Sequence, residues 1–141
     1  MASIHREVVV ERSAEAVWDA VRDVSQAHRR VFPGMLSDVR MDGDARVATF
    51  ANGFVVRELI VSVDDASKRF AYAAVGGRAT HHNASLQVLA EGEGRCRIAW
   101  ITDVLPDTVA GTITALIDAG CADMKRTLES DGTAQSRTSH V

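Results

Sequence analysis

The stretch Pro106-Asp107-Thr108-Val109-Ala110-Gly111-Thr112-Ile113-Thr114-Ala115-Leu116-Ile117-Asp118-Ala119-Gly120-Cys121-Ala122-Asp123-Met124-Lys125-Arg126-Thr127-Leu128 decides how this chain can fold. Within it Val109, Ile113, Leu116, Ile117, Gly120, Met124 and Leu128 recur every three or four residues. They therefore share one stripe of a helix of about 22 residues. Asp118, Lys125, Arg126 and Glu129 lie off the stripe. Pro106 closes the preceding segment, Asp107 is placed to cap the helix, and Asp131-Gly132 is placed to end it. A lone amphipathic helix cannot bury its apolar stripe, so the rest of the chain must wrap around it.

Working outward, residues 35–104 carry no long helical periodicity. Turn signals at Asp42-Gly43-Asp44, Asn52-Gly53, Asp64 to Lys68, Gly76-Gly77 and Glu91 to Gly94 separate strands expected near 35–41, 45–51, 54–63, 69–75, 80–90 and 95–104. Successive strands with short links make an antiparallel meander. Ahead of them, Ile4 to Glu11 reads as a strand around Val8-Val9-Val10. Ser13 stands where a helix N-cap belongs. Ala14, Val17, Trp18, Val21 and Val24 then fall on one helical side, and Glu15, Asp19, Arg22 and Asp23 on the other. Ser25 is placed to cap a second short helix through Arg30, which Phe32-Pro33-Gly34 stops. The expected architecture is α+β: two short helices after the first strand, and a seven-stranded curved antiparallel sheet wrapped around a long C-terminal helix. Residues 1–130 form one domain, and 131–141 read as a polar, disordered tail.

Composition narrows the function classes. The chain has 141 residues with 46% apolar and 25% charged, which suits a globular domain. No apolar run is long enough to span a bilayer, and the first residues lack the apolar core of a secretory signal. Cys96 and Cys121 are too few for a disulfide framework, so they are expected to be reduced thiols in a cytoplasmic protein. The net charge of −3, with Arg mostly dispersed apart from Arg29-Arg30, argues against a nucleic-acid partner. The apolar set itself is unusual: 39 of its 65 members are Ala or Val. Gly111, Ala115, Ala119, Gly120 and Ala122 thin the long helix, and Ala74, Ala84 and Ala99 thin the strands. Small residues facing one another normally collapse together, because voids are costly. A curved sheet closed by a helix can hold them apart and leave a pocket. A genome biased toward Ala and Arg codons would give the same counts.

Strand parity says which side chains see such a pocket. With Arg95 and Arg97 outward, Cys96, Ile98, Trp100 and Thr102 point inward. Leu86 and Val88 inward carry Ala84 and His82 with them, leaving His81, Asn83, Ser85 and Gln87 outside. Phe70 and Tyr72 share a face, as do Val56, Glu58 and Ile60. The apolar Val55, Leu59, Val61 and Val63 compete with the last set, and a bulge near Leu59 or an edge contact would reconcile them. The cavity wall is accordingly expected from Phe70, Leu86, Ile98, Trp100 and Thr102 on the sheet, and from Ile113, Ile117, Gly120 and Met124 on the helix. Glu58 stands out. A carboxylate inside an apolar cavity has its charged form disfavoured, which would raise its pKa and suit it to acid or base work. The alternative is a structural ion pair with Arg57, Arg40 or Arg46. His82 and Tyr72 are candidates to complete a polar, proton-handling patch with Glu58. His81 and His82 cannot chelate one metal together, since adjacent strand residues face opposite ways, and no metal or cofactor is expected.

The layout and its local words resemble the START-like (SRPBCC) superfamily, the helix-grip proteins that include the major birch pollen allergen. The polyketide cyclase/dehydratase and lipid-transport branch is the most similar. The words are Val8-Val9-Val10 with Ser13-Ala14-Glu15-Ala16-Val17-Trp18; then Arg57-Glu58-Leu59 running to Asp64, Arg69 and Tyr72; then Ile98-Ala99-Trp100 and Met124-Lys125, together covering about residues 4–130. The resemblance implies a helix-grip fold, an internal site for a small hydrophobic or aromatic molecule of polyketide or lipid type, and an acidic residue at Glu58 facing the cavity. It places His28 near the cavity mouth. Family members often carry a Trp after the second short helix, where this chain reads His28-Arg29-Arg30-Val31-Phe32-Pro33, with Phe32 as the candidate to take over the packing. Three functions follow as expectations. One is a cyclase or dehydratase using Glu58 with His82 or Tyr72, another a carrier or sensor without chemistry, and the third an interaction module. The chain is expected to act as a monomer or homodimer.

Overall fold

The computed structural model describes the backbone of residues 2–138 and the side chains of residues 2–130. Strand β1 (Ala2–Val10) leads into helix α1 (Ala14–Val21), a 3-10 turn (Val24–Gln26) and helix α2 (Ala27–Arg30). Six strands follow: β2 (Leu36–Asp42), β3 (Ala45–Phe50), β4 (Val55–Asp64), β5 (Arg69–Val75), β6 (His81–Ala90) and β7 (Cys96–Leu105). A 3-10 turn (Asp107–Val109) then opens helix α3 (Ala110–Thr138). The strands form one antiparallel sheet in the order β1-β7-β6-β5-β4-β3-β2. The meander from β2 to β7 is thus unbroken, and β1 closes on β7 to complete the helix-grip fold.

Local chemistry explains the boundaries. The Ser13 hydroxyl accepts from the Ala16 amide at 3.2 Å, satisfying an orphan donor of the first turn of α1. Ser25 does not cap α2. It sits inside the preceding 3-10 turn and bonds back to Asp23 at 3.4 Å. Asp107 likewise lies within a 3-10 turn whose N-cap position belongs to Pro106. Helix α3 continues past Asp131-Gly132, where the sequence predicts its end. An interior Gly costs a helix only about 1 kcal/mol, which continued backbone hydrogen bonding can absorb. The expected disordered tail over 131–141 concerns side chains, and for 139–141 backbone, outside the described residues.

The buried cluster lies between the inner sheet face and the helices. Val10, Val17, Ile98, Met124 and Leu128 are all at 0% exposure, closing the end of the grip under α1 and the C-terminal half of α3. Trp18 anchors α1 to the β4–β5 turn: its Nε1 donates to Asp65 at 2.9 Å, and Arg22 pairs with the same carboxylate at 2.9 Å. Asp123, buried on α3, accepts from the amides of Gly34 and Met35 at 2.9 and 3.0 Å and ties the segment after α2 to the long helix. The register of β4 shifts between Ile60 and Ser62, a bulge that settles the competition between its two apolar sets. Val56, Glu58 and Ile60 are half-buried on the inner face, while Val55, Leu59 and Val61 are exposed.

Candidate functional site

At the opposite end of the grip the sheet and α3 part. They enclose a cavity of about 560 Å³. Its floor comes from Ala48, Val56, Tyr72, Ala74, Leu86 and Trp100 on the sheet, and its roof from Thr112, Ile113, Leu116 and Ile117 on the first turns of α3. Phe32, Met35 and Leu36 supply one wall. Phe54, Val55, Val75 and Leu116 line the cavity yet are exposed, so they mark an apolar mouth beside the Gly76-Gly77-Arg78-Ala79 loop. The small Ala48 and Ala74 lie where larger side chains of the sheet would fill this space. The cavity is thus the local outcome of the composition bias.

Four polar or ionisable side chains interrupt the apolar lining at its inner wall: Arg46, Glu58, Tyr72 and His82. Glu58 is neither a lone carboxylate nor a surface ion pair. It faces the cavity and meets Arg46 Nε at 2.8 Å, the two side chains being 14% and 5% exposed. The pairing follows from strand register, because Arg46 on β3 sits directly opposite Glu58 on β4. Arg46 is further fixed by donating to the Val24 carbonyl at 3.0 Å and by lying over the rings of Phe70 and Tyr72, 5.0 and 5.7 Å from their centroids. Phe70 and Tyr72 stack on each other at 5.3 Å.

Burial pushes the Tyr72 phenol well above its ordinary range, with the Glu58 charge adding to the effect, so the hydroxyl stays protonated. The Trp100 indole N–H pulls the other way from a position short of a hydrogen bond, and Trp100 Nε1 has no partner. Burial also lowers the His82 pKa, outweighing the opposing pull of Glu58, so the imidazole is neutral at pH 7. His81 is exposed on the other face, as parity requires. Both thiols are raised to about 11, mainly by burial, and are poor nucleophiles at neutral pH.

The structure brings Glu58, Tyr72 and His82 to one cavity wall, with Leu86, Trp100, Ile113 and Ile117 around them. The other residues expected on the lining sit elsewhere. Phe70, Ile98 and Met124 belong to the solid core at the closed end, where α1 leaves no free space. Thr102 is fully buried behind the lining with its hydroxyl unpartnered. At Gly120 the room is already taken: a Cβ there would stand 2.8 Å from Trp100 Cζ3. His28 lies on α2 with a buried, unpartnered Nδ1 and does not reach the cavity. Phe32 does take the aromatic position after α2, with its ring 5.5 Å from that of Trp100. Sequence reasoning missed Met35, Asn52 and Phe54, and it treated Arg46 only as an alternative partner.

Residues 1–129 match the family described as polyketide cyclase/dehydrase and lipid transport. No curated protein matches. Among solved structures, XoxI from Bacillus cereus is 17% identical with a TM-score of 0.79, the match covering 93% of this chain and 95% of that one. Norcoclaurine synthase from Thalictrum flavum is 19% identical with a TM-score of 0.70, covering 93% and 96%. The di-domain ARO/CYC protein BexL is 15% identical with a TM-score of 0.78, covering 92% of this chain and 47% of that chain. At these identities the structural likeness speaks for the fold, while the match over 1–129 extends over nearly the whole chain. The chain belongs to the polyketide cyclase/dehydrase and lipid-transport family.

Proposed function

We propose that this protein takes a small apolar or aromatic molecule into the cavity and acts on it as a cyclase or dehydratase. The observation that carries the reading is the gathering of Glu58, Tyr72 and His82, with Arg46 on Glu58, at the inner wall of a mainly apolar cavity. A flexible oxygenated chain folded there loses its alternative conformations before reaction, which lowers the entropic part of the barrier. Neutral His82 accepts a proton from the carbon between two carbonyls, and that carbon bonds to a second carbonyl carbon. Tyr72 donates a hydrogen bond to the oxygen that develops charge, and the imidazolium, stabilised by Glu58 that Arg46 fixes, returns its proton to that oxygen to give the alcohol and neutral His82. Loss of water from the resulting alcohol is the dehydratase half of the chemistry.

The experiment uses a synthetic poly-β-keto thioester. Glu58→Gln keeps an amide oxygen for Arg46, so the variant should bind the probe yet lose cyclised product; undiminished product formation would refute the catalytic reading. One observation favours a second reading. The Arg46–Glu58 pair holds the carboxylate in place, as a carrier that shelters its ligand without chemistry would need. In that case native mass spectrometry of freshly purified protein shows a bound molecule that denaturation releases unchanged.

A further inference from the structure

We infer that the cavity contains a subsite for an oxygen acceptor on the ligand, a carbonyl or phenolic oxygen, formed by Trp100 Nε1 with the Tyr72 hydroxyl beside it. This deepens the cavity-binding reading and rests on it. Trp100 is 5% exposed, and its indole N–H has no acceptor among the described residues. Buried donors are almost always paired, so an orphan on a residue that lines the cavity marks a place where a group from outside the protein could complete the set. The contrast with Trp18 is internal to the molecule, since that indole is satisfied by Asp65 at 2.9 Å.

The Trp100 ring is clamped so that the donor stays in place. Its benzo edge is pressed against Gly120, where no Cβ could fit, and its face meets Phe32 at 5.5 Å between centroids. Tyr72 lies close enough to sense the indole N–H and is itself held by stacking on Phe70. Its hydroxyl can rotate to donate to the same oxygen. Both donors are neutral, and of the two arginines that line the cavity Arg46 is committed to Glu58 while Arg78 stands in the exposed loop at the mouth. The subsite therefore suits a neutral ketone, a quinone or a phenol, and offers a carboxylate tail no unpaired cation at this depth.

A matched pair of rigid probes tests this. In 9-fluorenone a carbonyl replaces the methylene of fluorene with little change in shape, so the difference in affinity reads the subsite alone. Equilibrium dialysis of the full chain should show fluorenone bound about tenfold more tightly than fluorene, the discrimination expected when a buried donor is otherwise left unpaired. The carbonyl stretch of bound fluorenone should shift to lower frequency. Trp100→Phe should abolish the preference and the shift, read as the ratio of the two affinities in the same variant, whatever the smaller ring does to fluorene binding. Tyr72→Phe, which keeps the stacked ring, should reduce both and guards against a misfolded Trp100 variant. Equal binding of the two probes by the wild-type protein overturns the subsite and leaves the cavity reading intact. Binding of neither overturns both, and discrimination that survives in both variants assigns the carbonyl to other groups and overturns the inference.

Discussion

Replacing Arg46 by Met probes the interaction on which the site is built. The substitution keeps an unbranched side chain of similar reach but removes the 2.8 Å contact to Glu58, the 3.0 Å bond to the Val24 carbonyl and the charge over Phe70 and Tyr72. It leaves a carboxylate that is only 14% exposed without its counter-ion. Removing one partner of a fully buried pair costs about 3–5 kcal/mol; here about 3 kcal/mol is expected, since Glu58 borders a cavity open at one end. For a domain of this size each kcal/mol moves Tm by about 4 °C, so urea and thermal unfolding followed by circular dichroism should show a drop near 12 °C. Arg46→Met combined with Glu58→Leu removes both charges and should be more stable than either single variant, because a buried pair exchanged for apolar groups is often near neutral. If the double variant lost the sum of the single losses to within about 0.5 kcal/mol, the two side chains would be uncoupled and the account of the site wrong.

Further predictions follow from the same contacts. Gly120→Ala gains about 1 kcal/mol of helix propensity but drives a methyl to 2.8 Å from Trp100 and 3.1 Å from Met35 Sδ, so net destabilisation of about 1–2 kcal/mol and weaker fluorenone binding are expected; a stabilised variant with unchanged binding would contradict the clamp on Trp100. His82 has a folded-state pKa below its ordinary 6.5, so between those two values the unfolded chain binds the extra proton. Its contribution is full above pH 6.5 and is lost as pH falls toward the folded value, and urea midpoints from pH 7.5 to 5 should fall less steeply in His82→Gln. Asp65 is held below its ordinary range, by Arg22 first and Trp18 second, and Asp19 by Arg30. Their stabilisation is present above pH 3.8 and lost as pH falls through the lowered values, so Asp65→Asn should flatten the acid limb of the same curve. Cys96 and Cys121, both raised to about 11, should resist iodoacetamide at pH 7.5 in the native state and react fully in urea.

Much of this was legible in the sequence, for identifiable reasons. A period of three to four over residues 109–128 and a period of two along the strands are direct images of helix and sheet geometry, so the stripe on α3 and the inward parity of β5, β6 and β7 could be read without tertiary information. Even the Arg46–Glu58 pair was within reach. A hairpin centred on Asn52 pairs residues equidistant from it, which sets 46 opposite 58 as observed. Parity gives the face of a side chain but not its depth. Ile98 and Met124 share a face with the cavity lining, yet they lie where α1 and the far half of α3 have closed the space. Depth depends on where the long helix lifts from the sheet, and contacts between distant segments decide that. One is the Asp123 carboxylate on the Gly34 and Met35 amides, which no local pattern announces.

The most direct test of the cavity as a binding site uses the two indoles as reporters. In a ¹H–¹⁵N spectrum of labelled protein titrated with 9-fluorenone, the Trp100 indole resonance should shift saturably, since that ring lines the cavity and its N–H is unpartnered. The Trp18 indole, bonded to Asp65 in the closed end of the grip, should stay in place. A Trp100 signal that does not move at the solubility limit of the probe, or that moves only in step with Trp18, would contradict the claim that this grip holds its ligand inside.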